Sequence, residues 1–475
     1  MLKTPMYPFQ KTGVRLLNEF DGRALLADEV GLGKTLQALY YGWRFVPDDP
    51  SGPIVVLCPA HLKIMWARQA LQHLQLRVEI LDGRSVPDTK LPPHDPNQIY
   101  VVNYEVLTPP HWGKGVAPPA DSWLVWLANL KPRLVICDEA QRMKTPATAA
   151  NRAGEYLAKR VRHFLLLSGT PMTNKPGDLW ALVHMIRPRL FPSRMDFLTQ
   201  FTHMTRHWWG WQSKGAKNLR ELHRVLSKTC MVRRTKAEVL DQLPPVQYSV
   251  IPMQIDMREY RKAELNYLGW LEQKSPTLAA SAARAEEVSR QNGLKMLAGK
   301  LKVPAVVAWA EDLLAETGGK LLVGIVHHDV SRLLMRAFGA RAVLVDGTMS
   351  GPDKQRAWDR FNKNPNCELM VGNLQAAGTG QSCTCTGDVA VCEMPWVPAD
   401  LEQFAGRVHG IGRGVAGTNS HVRMLVAHET IEDDICQLLQ TKRGWAAQAI
   451  DGTTDVGTFN LHDQIRARIQ ARHAG

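Results

Sequence analysis

A short apolar run that empties into Gly31-Leu32-Gly33-Lys34-Thr35 leaves a chain few ways to fold. Ala24-Leu25-Leu26 reads as a buried strand, the glycines as a tight turn, and the residues from Lys34 onward as a helix. Such a strand, turn and helix aim the first N–H groups of the helix at one point, where an anion is favoured. Gly31 and Gly33 let the backbone approach phosphate oxygens with no Cβ in the way. Lys34 brings a cation to the β- and γ-phosphates of a nucleotide such as ATP, and Thr35 offers a hydroxyl to Mg²⁺. The strict pattern asks for glycine at position 28, where this chain has Asp28, followed by Glu29.

Further apolar runs repeat the theme. Residues 54–59, 99–103, 134–137 and 164–167 read as buried strands separated by helical patterns, and residues 319–326, 342–345 and 367–373 start the series again. Strands alternating with helices predict an α/β fold with mostly parallel sheets, and the two series predict two such lobes. At 475 residues, more than one core is expected. No apolar run approaches the roughly 18 residues that cross a membrane, so none is expected to do so. Eight cysteines without a C-x-x-C pair read as reduced core residues, with neither a zinc site nor a disulfide framework.

The ends of these strands carry the chemistry. Leu134-Val135-Ile136-Cys137 runs into Asp138 and Glu139, as nucleotide hydrolysis requires: one carboxylate for Mg²⁺, the next for the attacking water. Phe164-Leu165-Leu166-Leu167 runs into Ser168-Gly169-Thr170, two hydroxyls at the carboxyl edge of the same sheet, where α/β folds bind ligands. Gln10 lies some twenty residues before the glycine turn, and can cap a helix or read an adenine edge. Residues 376–380 place Gly378 and Gly380 in a second glycine-bearing turn after a strand, and residues 403–413 put cations on a helix and its exit.

Formal charge is +13, with pI about 9.4, which favours a polyanionic partner. Residues 196–302 hold 18 Lys and Arg against 10 Asp and Glu, so +8 of that excess lies there. Within this stretch Trp208-Trp209-Gly210-Trp211-Gln212-Ser213-Lys214-Gly215-Ala216-Lys217 interleaves aromatics and cations, and Arg233-Arg234 follows. Lys214, Lys217, Arg233 and Arg234 are candidates for nucleic-acid phosphates, with the aromatics stacking on bases or sugars. The alternative is that the tryptophans pack the base of a helical insertion.

In order, the stretches PFQKTGVRLL, ADEVGLGKT, VVLCPAHLKIMW, VVNYEVL, CDEAQ and LLLSGTPMTNKPGDLWALVHMIRPRLF resemble the first-lobe motifs of the Swi/Snf-like ATPases, the duplex-DNA-translocating branch of helicase superfamily two. LVDGTMSGPDKQRAWDRFN, NLQAAGTGQSCT and LEQFAGRVHGIGR resemble the second-lobe motifs, and the likeness is nearest to annealing-helicase-like members. The resemblance covers roughly residues 5–445. It implies two RecA-like lobes with a helical insertion between them: residues 1–195, a basic insertion and linker at 196–302, residues 303–450, and a basic tail at 451–475.

For the site, the resemblance implies that Gln10 reads adenine and that Asp28, Glu29, Gly31, Leu32, Gly33, Lys34 and Thr35 form the phosphate loop. Thr35 and Asp138 would serve Mg²⁺, and Glu139 the water. Ser168 and Thr170 would couple the site to DNA, Gly378 and Gly380 would shape the second lobe's face of the ATP cleft, and Gln403 and Arg407 would reach the γ-phosphate. One departure stands out: the family's usual second arginine is replaced by Gly410, with Arg413 three residues on, so either Arg413 supplies that charge, or Arg407 suffices, or hydrolysis is slow.

The expected activity is a DNA-dependent ATPase that translocates on double-stranded DNA, branched DNA and single-strand junctions included, and remodels it. A strand-separating DNA or RNA helicase and a nucleotide-gated clamp with little turnover are the alternatives. A recruiting protein partner is allowed, and the expected setting is the cytoplasm of a bacterial cell or phage-infected host.

Overall fold

The computed structural model describes residues 3–46, 52–74, 76–83, 86, 92, 95, 97–108, 112, 113, 115–207, 210–240, 246–267, 286–378, 383–410 and 419–454. Trp208, Trp209, Gly380 and Arg413 lie outside them, as does the tail from residue 455. The chain divides into two compact units, the first comprising Met1–Asp241 and Gly444–Asp455, the second Gln242–Arg443.

The first unit is built on a seven-stranded sheet ordered β3-β4-β2-β5-β6-β1-β9. Its strands are β1 (Arg23–Leu26), β2 (Ile54–Cys58), β3 (Arg77–Ile80), β4 (Gln98–Asn103), β5 (Leu134–Asp138), β6 (His163–Leu167) and β9 (Met231–Val232). Every pairing is parallel. The apolar runs lack alternation because both faces are covered: β2 and β6 are buried at every position. One face packs Val135, Cys137, Phe164 and Leu166 against the helices Ala149–Ala158 and Gly177–Ile186. The other packs Leu26, Val56, Ile136 and Leu167 against Lys34–Arg44 and Lys63–Leu74.

An antiparallel hairpin of β7 (His203–His207) and β8 (Gly210–Lys214) joins neither large sheet.

The second unit carries a six-stranded sheet ordered β10-β15-β14-β11-β13-β12, again with every pairing parallel. Its strands are β10 (Gln247–Met253), β11 (Leu321–Ile325), β12 (Ala342–Val345), β13 (Leu369–Asn373), β14 (Asp388–Val391) and β15 (His421–Ala427). Beside its core lies a charged pair removed from water, Lys302 Nζ donating to both Glu432 oxygens at 2.7 Å.

The two α/β units match the sequence expectation, but their boundaries do not. The stretch 196–302 is not a separate insertion: β9 adds to the first sheet beside β1, β10 adds to the second beside β15, and the division falls between residues 241 and 242. All eight cysteines are free, seven of them buried and Cys385 half-buried. Among the described residues no helix is long and apolar enough to cross a membrane.

Candidate nucleotide site

Strand register brings the site together. Leu26 of β1 pairs with Leu167 of β6, which pairs with Asp138 of β5. Three neighbouring strands therefore end level, and the residues just past each of them share the carboxyl edge: the glycine turn after β1, Glu139 after β5, and Ser168-Gly169-Thr170 after β6.

Within the turn, Gly31 and Gly33 have φ of 96° and 74°, left-handed values that glycine adopts at least cost. Gly33 caps the helix Lys34–Arg44, with Thr35 in its first turn. Lys34 Nζ donates to the loop's own carbonyls, Asp28 O at 2.6 Å and Glu29 O at 3.2 Å. Burial is the largest influence on its pKa and lowers it to about 8, against the pull of Asp28, Glu139 and Asp138.

Gln10 both caps and links. Its Oε1 accepts from Tyr7 N at 3.0 Å, closing the start of the helix Pro8–Glu19, and its Nε2 donates to Leu32 O at 3.1 Å. A Cβ at Gly33 would stand 2.5 Å from that Nε2. Gly169 presses on the same turn from the other side, since a Cβ there would meet Val30 Cγ2 at 2.5 Å.

Asp138 accepts from Trp66 Nε1 at 2.8 Å and from Glu139 N at 3.0 Å, while its carbonyl accepts from Tyr104 OH at 2.7 Å. Burial first, and then the neighbouring Glu139 carboxylate, raise the Asp138 pKa to about 7. Two adjacent, half-buried carboxylates favour any positive charge they can reach, and oxygen donors of this kind suit Mg²⁺. The residues fit such an ion, which Asp138 and Thr35 would hold.

Glu139 is set at φ 50°, a left-handed conformation. Gln141 Nε2 donates to Glu139 Oε2 at 2.6 Å, Ser168 Oγ donates to Gln141 Oε1 at 2.7 Å, and Thr170 N donates to Ser168 Oγ at 3.1 Å. The amide suits this place because it offers a donor to the carboxylate and an acceptor to the hydroxyl. Gln141 was visible in Cys137-Asp138-Glu139-Ala140-Gln141, but nothing in a linear pattern says that its two ends face residues 139 and 168.

Arg233 and Arg234 do not form the open phosphate-binding surface expected of them. Arg233 is 8% exposed, pairs with Asp451 at 2.7 Å and donates to Ala27 O and to Gly169 O at 2.6 and 3.1 Å. Arg234 pairs with the fully buried Asp28, its Nε donating to Oδ1 at 2.9 Å, and also donates to Gln37 Oε1 at 2.8 Å. Alongside them Lys236 Nζ stands 3.1 Å from Glu29 Oε1, and Lys236 N donates to Glu29 Oε2 at 2.8 Å. The physical reason is the addition of β9 beside β1, which carries these three cations onto the back of the glycine turn. Asp28 is thus the acid that Arg234 and Gln37 bind, where a glycine would leave both without it.

Lys214 and Lys217 lie elsewhere, on and just beyond the hairpin, Lys214 exposed and Lys217 half-buried. In the second unit, Gln403 and Arg407 sit on and just past the helix Pro398–Ala405, and Arg407 Nε donates to Gln403 O at 3.1 Å. Arg407 O accepts from Cys383 N at 2.9 Å. Gly378 follows β13, and a Cβ there would meet Leu374 O at 2.3 Å. Gly410 has φ 144°, a value that L side chains rarely adopt.

The pattern of an SNF2-related domain matches residues 9–298, and that of a helicase conserved C-terminal domain matches residues 307–412. The mouse DNA annealing helicase and endonuclease ZRANB3 is 26% identical over 463 residues, 95% of this chain and 41% of that protein. The SWI/SNF-related matrix-associated actin-dependent regulator of chromatin subfamily A-like protein 1 of Xenopus tropicalis is 29% identical over 457 residues, 93% of this chain and 44% of that one. The chain therefore spans less than half the length of these two relatives. The Sulfolobus solfataricus SWI2/SNF2 ATPase core in complex with dsDNA aligns with a TM-score of 0.44 and 20% identity, over 97% of this chain and 95% of that one.

Proposed function

This chain belongs to the SNF2-related family of helicase-like ATPases, and we propose from that premise that it is a DNA-dependent motor, one that hydrolyses ATP to move on duplex DNA and remodel it. The observation that carries the proposal is the hydrogen-bonded path Glu139–Gln141–Ser168, which ties the water-activating carboxylate to the strand end expected to answer to DNA.

The glycine turn and the first N–H groups after Gly33 receive the phosphates of ATP, and Lys34 leaves the Asp28 and Glu29 carbonyls to meet them. Asp138 and Thr35 would hold Mg²⁺, which when bound would neutralise phosphate charge. Glu139 orients the attacking water, and Gln141 fixes one of its oxygens. A shift of Ser168 caused by DNA would move Gln141 and with it the carboxylate. By the family resemblance Gln403 and Arg407 would read the γ-phosphate, and with Gly410 in place of the usual second arginine, Arg407 or Arg413 would supply its cation.

The arginine lost at Gly410 also favours a second reading, a nucleotide-gated clamp that turns over slowly. Measuring ATP hydrolysis without DNA, with single strands and with blunt duplex separates the two. Duplex should stimulate most. A rate indifferent to every nucleic acid refutes the motor, and a rate near zero with tight, ATP-dependent DNA binding selects the clamp.

A further inference from the structure

The hairpin β7–β8 is the element the nucleotide site leaves unexplained. It is a two-stranded ribbon with register His203↔Lys214 to His207↔Gly210, and such a ribbon has no core of its own. Its root is firmly held. Phe197 and Phe201 are buried beneath it, Lys217 N donates to Phe201 O at 3.0 Å, Asn218 Nδ2 donates to Gln200 O at 2.8 Å, and Lys175 Nζ reaches Ser213 Oγ at 3.0 Å.

Beyond that root both faces meet solvent. Arg206 and Trp211 are directly paired and share one face, and His203 and Lys214 are paired on the other, all four exposed. Trp211 is 58% exposed, and among the described residues it is the one tryptophan exposed to such a degree. Residues 197–220 contain Arg206, Lys214, Lys217 and Arg220 and no Asp or Glu. The next acid, Glu221, is engaged by Arg224 at 2.8 and 2.6 Å. A rooted ribbon with an aromatic and a cation on one face, and further cations on the reverse, is shaped to stand between two polyanionic strands.

We propose that this hairpin is a junction-binding pin: Trp211 stacks on an unpaired base where duplex gives way to single strand, Arg206 meets phosphates on that side, and Lys214 meets those of the departing strand. Paired bases stay in the duplex stack, so a stacking platform finds a free base only where the strands part. The inference rests on the DNA-motor reading and adds to it a preference for duplexes that carry a junction.

The test uses the full chain and two fluorescent probes that share one duplex sequence, a blunt duplex and a Y-shaped fork. A 2-aminopurine is placed at the fork's first unpaired position. Trp211→Ala opens no cavity, because the side chain is exposed. It should weaken fork binding about 5- to 150-fold, the range expected for one lost base–aromatic stack, and leave blunt-duplex affinity within about twofold. Trp211→Phe should restore most of the fork affinity, and the 2-aminopurine signal should respond to wild type and Trp211→Phe but not to Trp211→Ala. Lys214→Ala should lower the salt slope of fork binding by up to about 0.9. Equal losses on both probes, or no loss on either, overturn the pin, the second result also being what a protein-binding role for Trp211 would give. If no DNA stimulates ATP hydrolysis by the wild-type chain, the motor reading itself falls, and that failure is read without any hairpin variant.

Discussion

Arg234→Ala is the substitution whose outcome the structure constrains most. Its guanidinium is 13% exposed and pairs with Asp28, whose side chain is fully buried. Truncation leaves the carboxylate with the Gln37 amide, which donates to Oδ2 at 2.9 Å, and leaves Gln37 Oε1 without the arginine. Breaking a buried pair by removing one member costs about 3–5 kcal/mol, because the remaining charge is uncompensated. At about 2–4 °C per kcal/mol for a unit of this size, the first thermal transition should fall by roughly 6–20 °C. Adding Asp28→Asn should recover part of the loss, since it removes the stranded charge, so the two effects should not add. Differential scanning calorimetry of the three variants measures this, with DNA affinity followed against salt in parallel. A drop below about 2 °C, together with a salt slope flattened by about 0.9, would mean that Arg234 faces DNA phosphates and would refute the reasoning.

Lys34→Ala should abolish ATP turnover, whereas Glu139→Gln should lose turnover and keep ATP binding; a fluorescent ATP analogue and a phosphate-release assay distinguish the two, and normal hydrolysis by Lys34→Ala would remove the site assignment. Gln141→Ala should lower DNA-stimulated turnover about tenfold, the worth of roughly 1.4 kcal/mol, with a smaller change in the DNA-free rate. Equal falls in both rates would reduce Gln141 to a structural role. Burial alone would raise the pKa of Glu29, but the charge and N–H of Lys236 hold it at about 2, below its ordinary 4.5. The pair's contribution is therefore complete above pH 4.5 and fades as pH falls toward 2. Glu29→Gln should lower the melting temperature at pH 7 and flatten its decline below pH 4.5; an acid limb identical to wild type would count against the pair.

The two parallel-sheet units were legible because parallel strands buried on both faces leave unbroken apolar runs, as at residues 54–58 and 163–167. The order of strand ends was legible too: the glycine turn, Asp138 and Ser168 each come at the end of such a run, and the register places those ends level. Short or edge elements were harder to see. Met231-Val232 is too brief to announce itself as a strand, yet its position decides that Arg233 and Arg234 point inward to Asp451 and Asp28. Charge in a sequence carries no direction, so a paired, buried arginine reads like one on a DNA-binding face. Asp451 lies 218 residues from Arg233, a separation at which no local pattern operates. The φ of 144° at Gly410 has the same character: restoring an arginine there would strain the backbone, which no linear pattern reveals.

Displacement of a triplex-forming third strand from duplex DNA tests the motor most directly, because releasing that strand requires travel along the duplex but no separation of its two strands. The wild-type chain should release the third strand at a rate that depends on ATP, and Lys34→Ala should not. ATP-dependent DNA binding with no release by the wild-type chain would contradict translocation and leave the clamp as the better account.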